Sequence, residues 1–221
     1  MKEIERRFFI TEIPSSRRVL SEVTIFQNYL LDDDLKCSVQ HKDNKLQLTK
    51  GDQCQIIMVP VEYTSRLFSL LGNGEIQPLS KGIEARIRSM VDTKGKASFF
   101  ITFKMGKGMV REEIEFPITS ADYQHITEMI KTIPLEKVRK YIDFGSYKIE
   151  VDLYRHYPSF RVAEVEFPSE AEAMDFSKPS WFDREITDVS YSNRTLWRNI
   201  QLGGTVEQIE KRFFDGLSRE K

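Results

Sequence analysis

Four stretches of the chain alternate charged and apolar residues with a period of two. They are Glu3, Ile4, Glu5, Arg6, Arg7, Phe8; Glu84, Ala85, Arg86, Ile87, Arg88; Lys148, Ile149, Glu150, Val151, Asp152, Leu153; and Ala163, Glu164, Val165, Glu166, Phe167. Successive side chains of a strand point to opposite faces, so each stretch predicts a strand with one apolar face to bury and one ionic face left over. The ionic face is acidic in three of them and basic in Glu84–Arg88. Acidic and basic strands in one sheet suggest metal ions and an anion held together.

The rest of the pattern fills in around these strands. The first strand ends near Ile10, Pro14, Ser15 and Ser16 mark a turn, and a second extended stretch runs from Val23 to Leu31 with Ile25, Gln27 and Tyr29 at alternating positions. From Asp32 the alternation weakens. A hairpin around Lys42–Lys45, an apolar strand-like run from Gln55 to Tyr63 and a turn at Gly72, Asn73, Gly74 read as an elaboration inserted at about residues 32–83. Strands at Glu84–Met90 and Ser98–Lys104 flank a turn at Asp92–Gly95, and Arg111–Ile118 follows the turn Gly106–Gly108, which makes an antiparallel meander.

Ser120 and Asp122 are suited to cap a helix to about Thr132, with Tyr123, Ile126, Met129 and Ile130 on one stripe and Pro134 closing it. Strands follow at Lys137–Ile142, Lys148–Arg155 and Val162–Phe167. Ser169 with Glu172 has the form of a capping box. A last helix at about 205–217 presents Val206, Ile209, Phe213 and Leu217 on one side. Many antiparallel strands with few helices argue an α+β architecture, one domain over residues 1–221 built round a large sheet or a closed barrel.

Composition narrows the function classes. The 221 residues, 40% of them hydrophobic, suffice for a substantial core. Lys plus Arg at 33 against Asp plus Glu at 34 removes the bulk attraction that binders of duplex nucleic acid or membrane surfaces use, so a polyanion must be bound by local arrangement. Cys37 and Cys54 form neither a metal spacing nor a disulfide framework, and no apolar signal core or membrane-length run is visible. The expected setting is the cytoplasm, as monomer or homodimer. His41, His125 and His156 share no ligand spacing.

A triphosphate carries several negative charges, so its binder needs cations on the phosphoryl oxygens and divalent metal for the remainder. Arg86, Arg88 and Lys104 supply the first, and Arg139 lies on a strand with the same alternation. The arginine fork contacts two oxygens of one phosphate. Glu3, Glu5, Asp152, Glu164 and Glu166 supply oxygen ligands of the kind that hard cations such as Mg²⁺ and Mn²⁺ take. The plain alternative is a sheet with one wet face, where opposite charges only keep the surface soluble.

Several motifs in order point away from the plain alternative. The opening EIERRF resembles the ExExK signature of the CYTH superfamily, the triphosphate tunnel metalloenzymes. Gln27–Leu30 is similar to its Q-G-Y-L strand, Glu84–Arg88 to E-x-R-x-R, Lys104 to the end of L-T-x-K, Arg111, Glu113 and Glu115 to R-x-E-x-E, and Glu136–Arg139 to E-K-x-R. Glu150–Asp152 matches E-V-D, Ala163–Glu166 matches A-E-V-E, and Trp181–Asn193 resembles the W-x-x-x-E-V-T and Y-S-N stretch. The similarity covers about residues 1–31 and 84–197, and among known types it is nearest to the bacterial tripolyphosphatases.

The resemblance implies an eight-stranded antiparallel barrel with helices packed outside, whose charged lumen is a tunnel for a triphosphate with Mg²⁺ or Mn²⁺. It implies that Glu3, Glu5, Asp152, Glu164 and Glu166 hold the metals. Arg7 stands where the family has a lysine, which keeps the charge and gives up a proton carrier. Glu113 or Glu115 is suited to orient the metal's surroundings, with Glu150 beside Asp152. Tyr29 and Lys137 match positions that phosphatase-type members pair to activate water; the alternative is a packed phenol beside a solvated amine.

The implied activity is hydrolysis of a small triphosphate, foremost inorganic tripolyphosphate. An adenylyl cyclase, a thiamine triphosphatase and a non-catalytic polyphosphate or nucleotide sensor are the alternatives.

Overall fold

The computed structural model describes residues 2–30, 35–71, 77–78, 82–107 and 109–219. In chain order the strands are β1 (Lys2–Ile10), β2 (Val19–Tyr29), β3 (Leu35–Gln40), β4 (Lys45–Lys50), β5 (Gln53–Met58), β6 (Gln77–Pro78), β7 (Ile83–Asp92), β8 (Ala97–Lys107), β9 (Val110–Ile118), β10 (Leu135–Phe144), β11 (Tyr147–Tyr154), β12 (Tyr157–Glu166) and β13 (Phe182–Glu185). The helices are α1 (Val61–Leu71), α2 (Ser120–Ile130), α3 (Glu170–Asp175), α4 (Asn193–Gln201) and α5 (Val206–Arg219).

Eight strands close into an antiparallel barrel in the order β1, β9, β8, β7, β2, β10, β11, β12, with β12 returning to β1 through pairs such as Arg7 with Glu164. β13 adds to β1 beyond β9. The insertion forms a second sheet, β5-β4-β3-β6, followed in sequence by α1 before β6.

The barrel is inverted relative to an ordinary one. The period-two pattern sends the ionic faces inward and the apolar faces outward, so the outer wall must be covered to keep it from water. Three clusters do this. Leu35, Val39, Leu46, Leu48, Leu67 and Leu71 of the insertion share one core with Ala85, Ile87, Ile101, Phe103, Ile114 and Phe116 of the wall and with Ile126 and Ile130 of α2. Ile4, Phe8, Ile149, Val151, Ala163 and Val165 pack on Phe167, Ala173, Phe176 and Phe182 around α3 and β13. The third cluster joins Tyr29, Leu135, Tyr154 and Phe160 to Leu196 and Trp197 of α4 and Ile209 and Phe213 of α5, and so covers the Tyr29 end of the barrel.

The elements differ from the expectation in instructive places. The apolar run at Gln55–Tyr63 divides: β5 stops at Met58, Pro60 breaks it, and Val61 starts α1, with Thr64, Leu67 and Leu71 buried. The side chain that caps α2 is Thr119, and Asp122 closes the box by accepting from the Thr119 backbone; Ser120 is the first helical residue. Ser169 caps α3 through the Glu172 N–H as expected. The Asp92–Gly95 turn is present, with Gly95 at φ 81°, a left-handed conformation that costs glycine little. Leu31, Gly72, Asn73, Gly74 and Gly108 lie outside the described residues.

Candidate active site

The inward faces enclose one cavity of about 550 Å³. Its wall carries Arg7, Arg66, Arg86, Arg88, Lys104, Arg111, Lys137, Arg139 and Arg194 against Glu3, Glu5, Glu84, Glu113, Glu115, Glu150, Glu164 and Glu166. The charges come together because each strand of the alternating set contributes every second residue. Register then places opposite signs beside one another at Glu84 and Lys104, and like signs at Glu5 and Glu166 and at Glu150 and Glu164.

On the β10–β12 side the charges are locked. Arg139 donates from Nε and Nη2 to the two Asp152 oxygens at 2.7 Å each, from Nη2 to Glu164 at 2.6 Å, and from Nη1 to Glu150. Lys137 donates to Asp152 and lies 5.7 Å from the Tyr154 ring centre. Arg7 donates to Glu164 at 3.0 Å. Burial alone would raise the Asp152 and Glu164 carboxyls, but Arg139 and Lys137 together, joined at Glu164 by Arg7, outweigh it and both are held below the usual range. Burial, with Arg139 adjacent, pulls the Lys137 amine down to about 8.

On the β7–β9 side the bonding is looser. Arg88 and Thr102 donate to Glu115, the latter at 2.6 Å, and Lys104 bridges Glu3 at 2.7 Å and Glu113 at 2.5 Å. Burial lifts Glu3 to about 7 against the pull of Lys104, with Glu5 and Glu113 pushing the same way. Glu113 is also buried, yet Lys104 and Arg86 hold it at about 2, so the two carboxyls around one ammonium titrate as a pair. Arg86 and Arg88 each keep a buried Nε–H with no partner among the described residues. Such donors are costly to leave unmade, and the guanidinium groups that carry them line the cavity, where an anion would meet them.

Fourteen of the side chains expected from sequence reach this one cavity: Tyr29, Lys137, Arg7, Arg86, Arg88, Lys104, Arg139, Glu113, Glu115, Glu150, Glu3, Glu5, Glu164 and Glu166. Asp152 shares their inward parity but lies fully buried behind Lys137 and Arg139, outside the lining. Lys137 is no solvated amine, being 1% exposed. The described bonds of the expected pair run elsewhere: Tyr29 accepts from Gln27 at 2.7 Å and packs on Trp197, while Lys137 is on Asp152. Burial, with Glu84 next, pushes the Tyr29 phenol up, so it stays protonated.

The all-oxygen donor set fits a hard cation by its chemistry. Among the described residues, however, no three carboxylates converge as a ready cage. Glu3, Glu5 and Glu164 instead lean on Lys104, Arg111 and Arg7 with Arg139, so holding a cation requires them to exchange partners.

Other lining residues fell outside the expected set. Glu84 and Arg111 share the inward parity of Arg86 and Glu113, so the alternation itself locates them. Ser192, Asn193 and Arg194 arrive at the start of α4, and Tyr63 and Arg66 on α1, whose helix is hidden in a run that reads as extended.

No family model matches the chain. Over 134 residues, 59% of this chain and 85% of the relative, it is 29% identical to the inorganic triphosphatase of Nitrosomonas europaea. The crystal structure of an inorganic triphosphatase overlaps 88% of this chain and 93% of its own at 22% identity and a TM-score of 0.48. A conserved hypothetical protein from Pyrococcus furiosus overlaps 82% and 94% at 13% identity and a TM-score of 0.41. The strands close into an antiparallel tunnel with the motif residues facing inward, as the CYTH resemblance implies, and in sequence the chain is similar to an inorganic triphosphatase.

Proposed function

We infer that the chain hydrolyses a small triphosphate, foremost inorganic tripolyphosphate, with Mg²⁺ or Mn²⁺. The observation that carries this reading is a closed lumen in which buried arginines retain donors with no partner among the described residues while the surrounding charges nearly cancel. A polyphosphate would bring several negative charges into a wall of nine cations and eight carboxylates, and that excess calls for divalent cations as companions. The named relative, an inorganic triphosphatase, favours the same substrate class.

Glu3, Glu5, Glu164 and Glu166 would hold the cation, which would neutralise phosphoryl oxygens and supply an activated water. Arg86 and Arg88 would orient the phosphate chain through the guanidinium groups they present to the cavity, and Lys104 adds a third cation on the same side. Asp152 keeps Lys137 and Arg139 in place from behind the wall. Lys137, at about 8, is the basic group of the lumen able to exchange a proton near neutral pH; the arginines are not. Glu113 and Glu115 fix Lys104 and Arg88, and Glu150 fixes Arg139.

Among the described residues no helix is long and apolar enough to cross a membrane. The free cysteines, Cys37 buried and Cys54 exposed, suit a reducing cytoplasm. The test is to supply the metal-stripped protein with tripolyphosphate, thiamine triphosphate or ATP, with Mg²⁺ or Mn²⁺ restored, and to quantify orthophosphate, pyrophosphate and cyclic AMP. Orthophosphate from tripolyphosphate is expected. Cyclic AMP from ATP, or no product from any substrate, overturns the reading.

A further inference from the structure

Covering the outer wall does not account for the two residues of the insertion that reach the cavity. Among the described residues β1 pairs with β9 only from Lys2 with Glu112 to Ile4 with Val110, yet β9 runs on to Ile118. Past Glu112 that edge of β9 has no barrel strand beside it among the described residues, and its backbone groups need other partners. α1 lies there. Arg66 Nη2 donates to the Glu113 carbonyl at 3.3 Å and to the Glu112 carboxylate at 3.2 Å.

One helical turn before Arg66, Tyr63 stacks on Phe116 with ring centres 5.9 Å apart and planes at 28°. Leu67 and Leu71 sink into the core that also contains Ile114 and Phe116. The helix is therefore part of the wall and not a flap above it. Tyr63 and Arg66 both line the cavity. Both Arg66 contacts use Nη2, so Nε and Nη1 have no partner among the described residues, and 40% of the side chain is exposed. Arg86 and Arg88, at 7% and 8%, lie deep; Arg66 sits at the open edge of the same cavity.

We propose that Arg66 is a substrate-binding residue contributed by the insertion, which holds the outermost phosphoryl group of a triphosphate whose inner groups lie on Arg86 and Arg88. This rests on the triphosphatase reading and adds to it a determinant of chain length. The guanidinium is already anchored on one side by Glu112 and the Glu113 carbonyl, so little side-chain freedom is left to lose when its remaining donors meet a phosphate. A chain of two phosphates held at the deep arginines leaves Arg66 unused.

The experiment measures binding of diimidotriphosphate and imidodiphosphate, the nitrogen-bridged analogues of three and two phosphates, by calorimetry with Mg²⁺ for the wild type, Arg66→Ala, Arg66→Lys and Glu112→Gln. Arg66→Ala is expected to bind the three-phosphate analogue about tenfold more weakly, a charge-assisted contact at a partly exposed site, and the two-phosphate analogue within about twofold of wild type. Arg66→Lys restores part of the loss. Glu112→Gln, which removes the charge of the α1–β9 ion pair but keeps a side-chain oxygen able to accept from Arg66 Nη2, leaves the guanidinium anchored and binds both as wild type does. Equal loss for both analogues, no loss, or a Glu112→Gln variant that mimics Arg66→Ala overturns the proposal while the triphosphatase reading stands. A wild type that binds neither analogue overturns both.

Discussion

The two sides of the lumen are built from the same residue types and behave differently. Around β10–β12, Arg139 joins Asp152, Glu164 and Glu150, Lys137 joins Asp152, and Arg7 joins Glu164, with Lys137, Arg139 and Asp152 buried and the other three partly so. Around β7–β9, Arg86 and Arg88 keep Nε–H groups with no partner among the described residues, and Lys104 is shared by two carboxyls that compete for one proton. The difference follows from acid placement: β11 and β12 put Glu150, Asp152 and Glu164 next to Arg139, whereas the arginines of β7 face β2, which brings Gln27 and Tyr29. Saturated charge makes a rigid frame. Unsaturated charge makes a place for a ligand.

The comparison breaks most visibly if the saturated side proves dispensable for folding. Arg139→Met leaves Asp152 and Glu164 buried with one cation fewer, and is expected to cost about 3–5 kcal/mol in urea unfolding, the range for breaking a buried pair. An unchanged unfolding midpoint would mean that this network is not the frame. On the unsaturated side, Arg86→Met is expected to lower kcat/KM for tripolyphosphate by about a hundredfold, the scale of losing one donor to developing charge, with the unfolding midpoint unchanged or raised. If that variant unfolded early and kept its activity, the roles of the two sides would be reversed.

Glu5→Gln and Glu166→Gln sharpen the picture where the sides meet, since these residues face each other across β1 and β12. Each is expected to slow turnover by about tenfold or more with little change in stability, read from initial rates and from chemical unfolding of the same preparations. Wild-type rates in either variant would remove that residue from the cation site.

The smallest effect concerns Glu3. Its folded-state pKa, about 7, lies above its ordinary 4.5, so between those values the folded protein retains a proton that the unfolded chain has lost. Stability contributed by this group is complete below about pH 4.5 and is lost as pH rises toward 7, whereas Glu113, held at about 2, adds its opposite slope only below about pH 4.5. Unfolding measured from pH 4.5 to 7.5 should show this slope in the wild type with chelator present, and Glu3→Gln should flatten it.

How much of this was legible beforehand varies with range. The period-two alternation of Glu3–Arg7, Glu84–Arg88, Lys148–Asp152 and Glu164–Glu166 carried the strands, their ionic faces and most of the lining, because side-chain direction in a strand is local geometry. Thr119 in place of Ser120 at the start of α2 is a one-residue error at a helix end, where neighbouring hydroxyls compete for the same N–H. α1 was hidden because Val61–Leu71 follows an apolar strand without a break except Pro60, and only the core it shares with β9 makes its helical stripe worth forming. α4 was missed for a related reason: Leu196, Trp197 and Ile200 make a short stripe that matters once it meets Tyr29 and Tyr157.

By itself, then, the sequence determined which residues share a face and what charge each face carries, since those depend on neighbours one or two positions apart. Closure of β12 on β1, retreat of Asp152 behind Arg139, and arrival of Arg66 at the lip of the cavity were decided by tertiary structure. They join residues far apart in the chain, and the register and packing that bring such residues together are written in no local pattern.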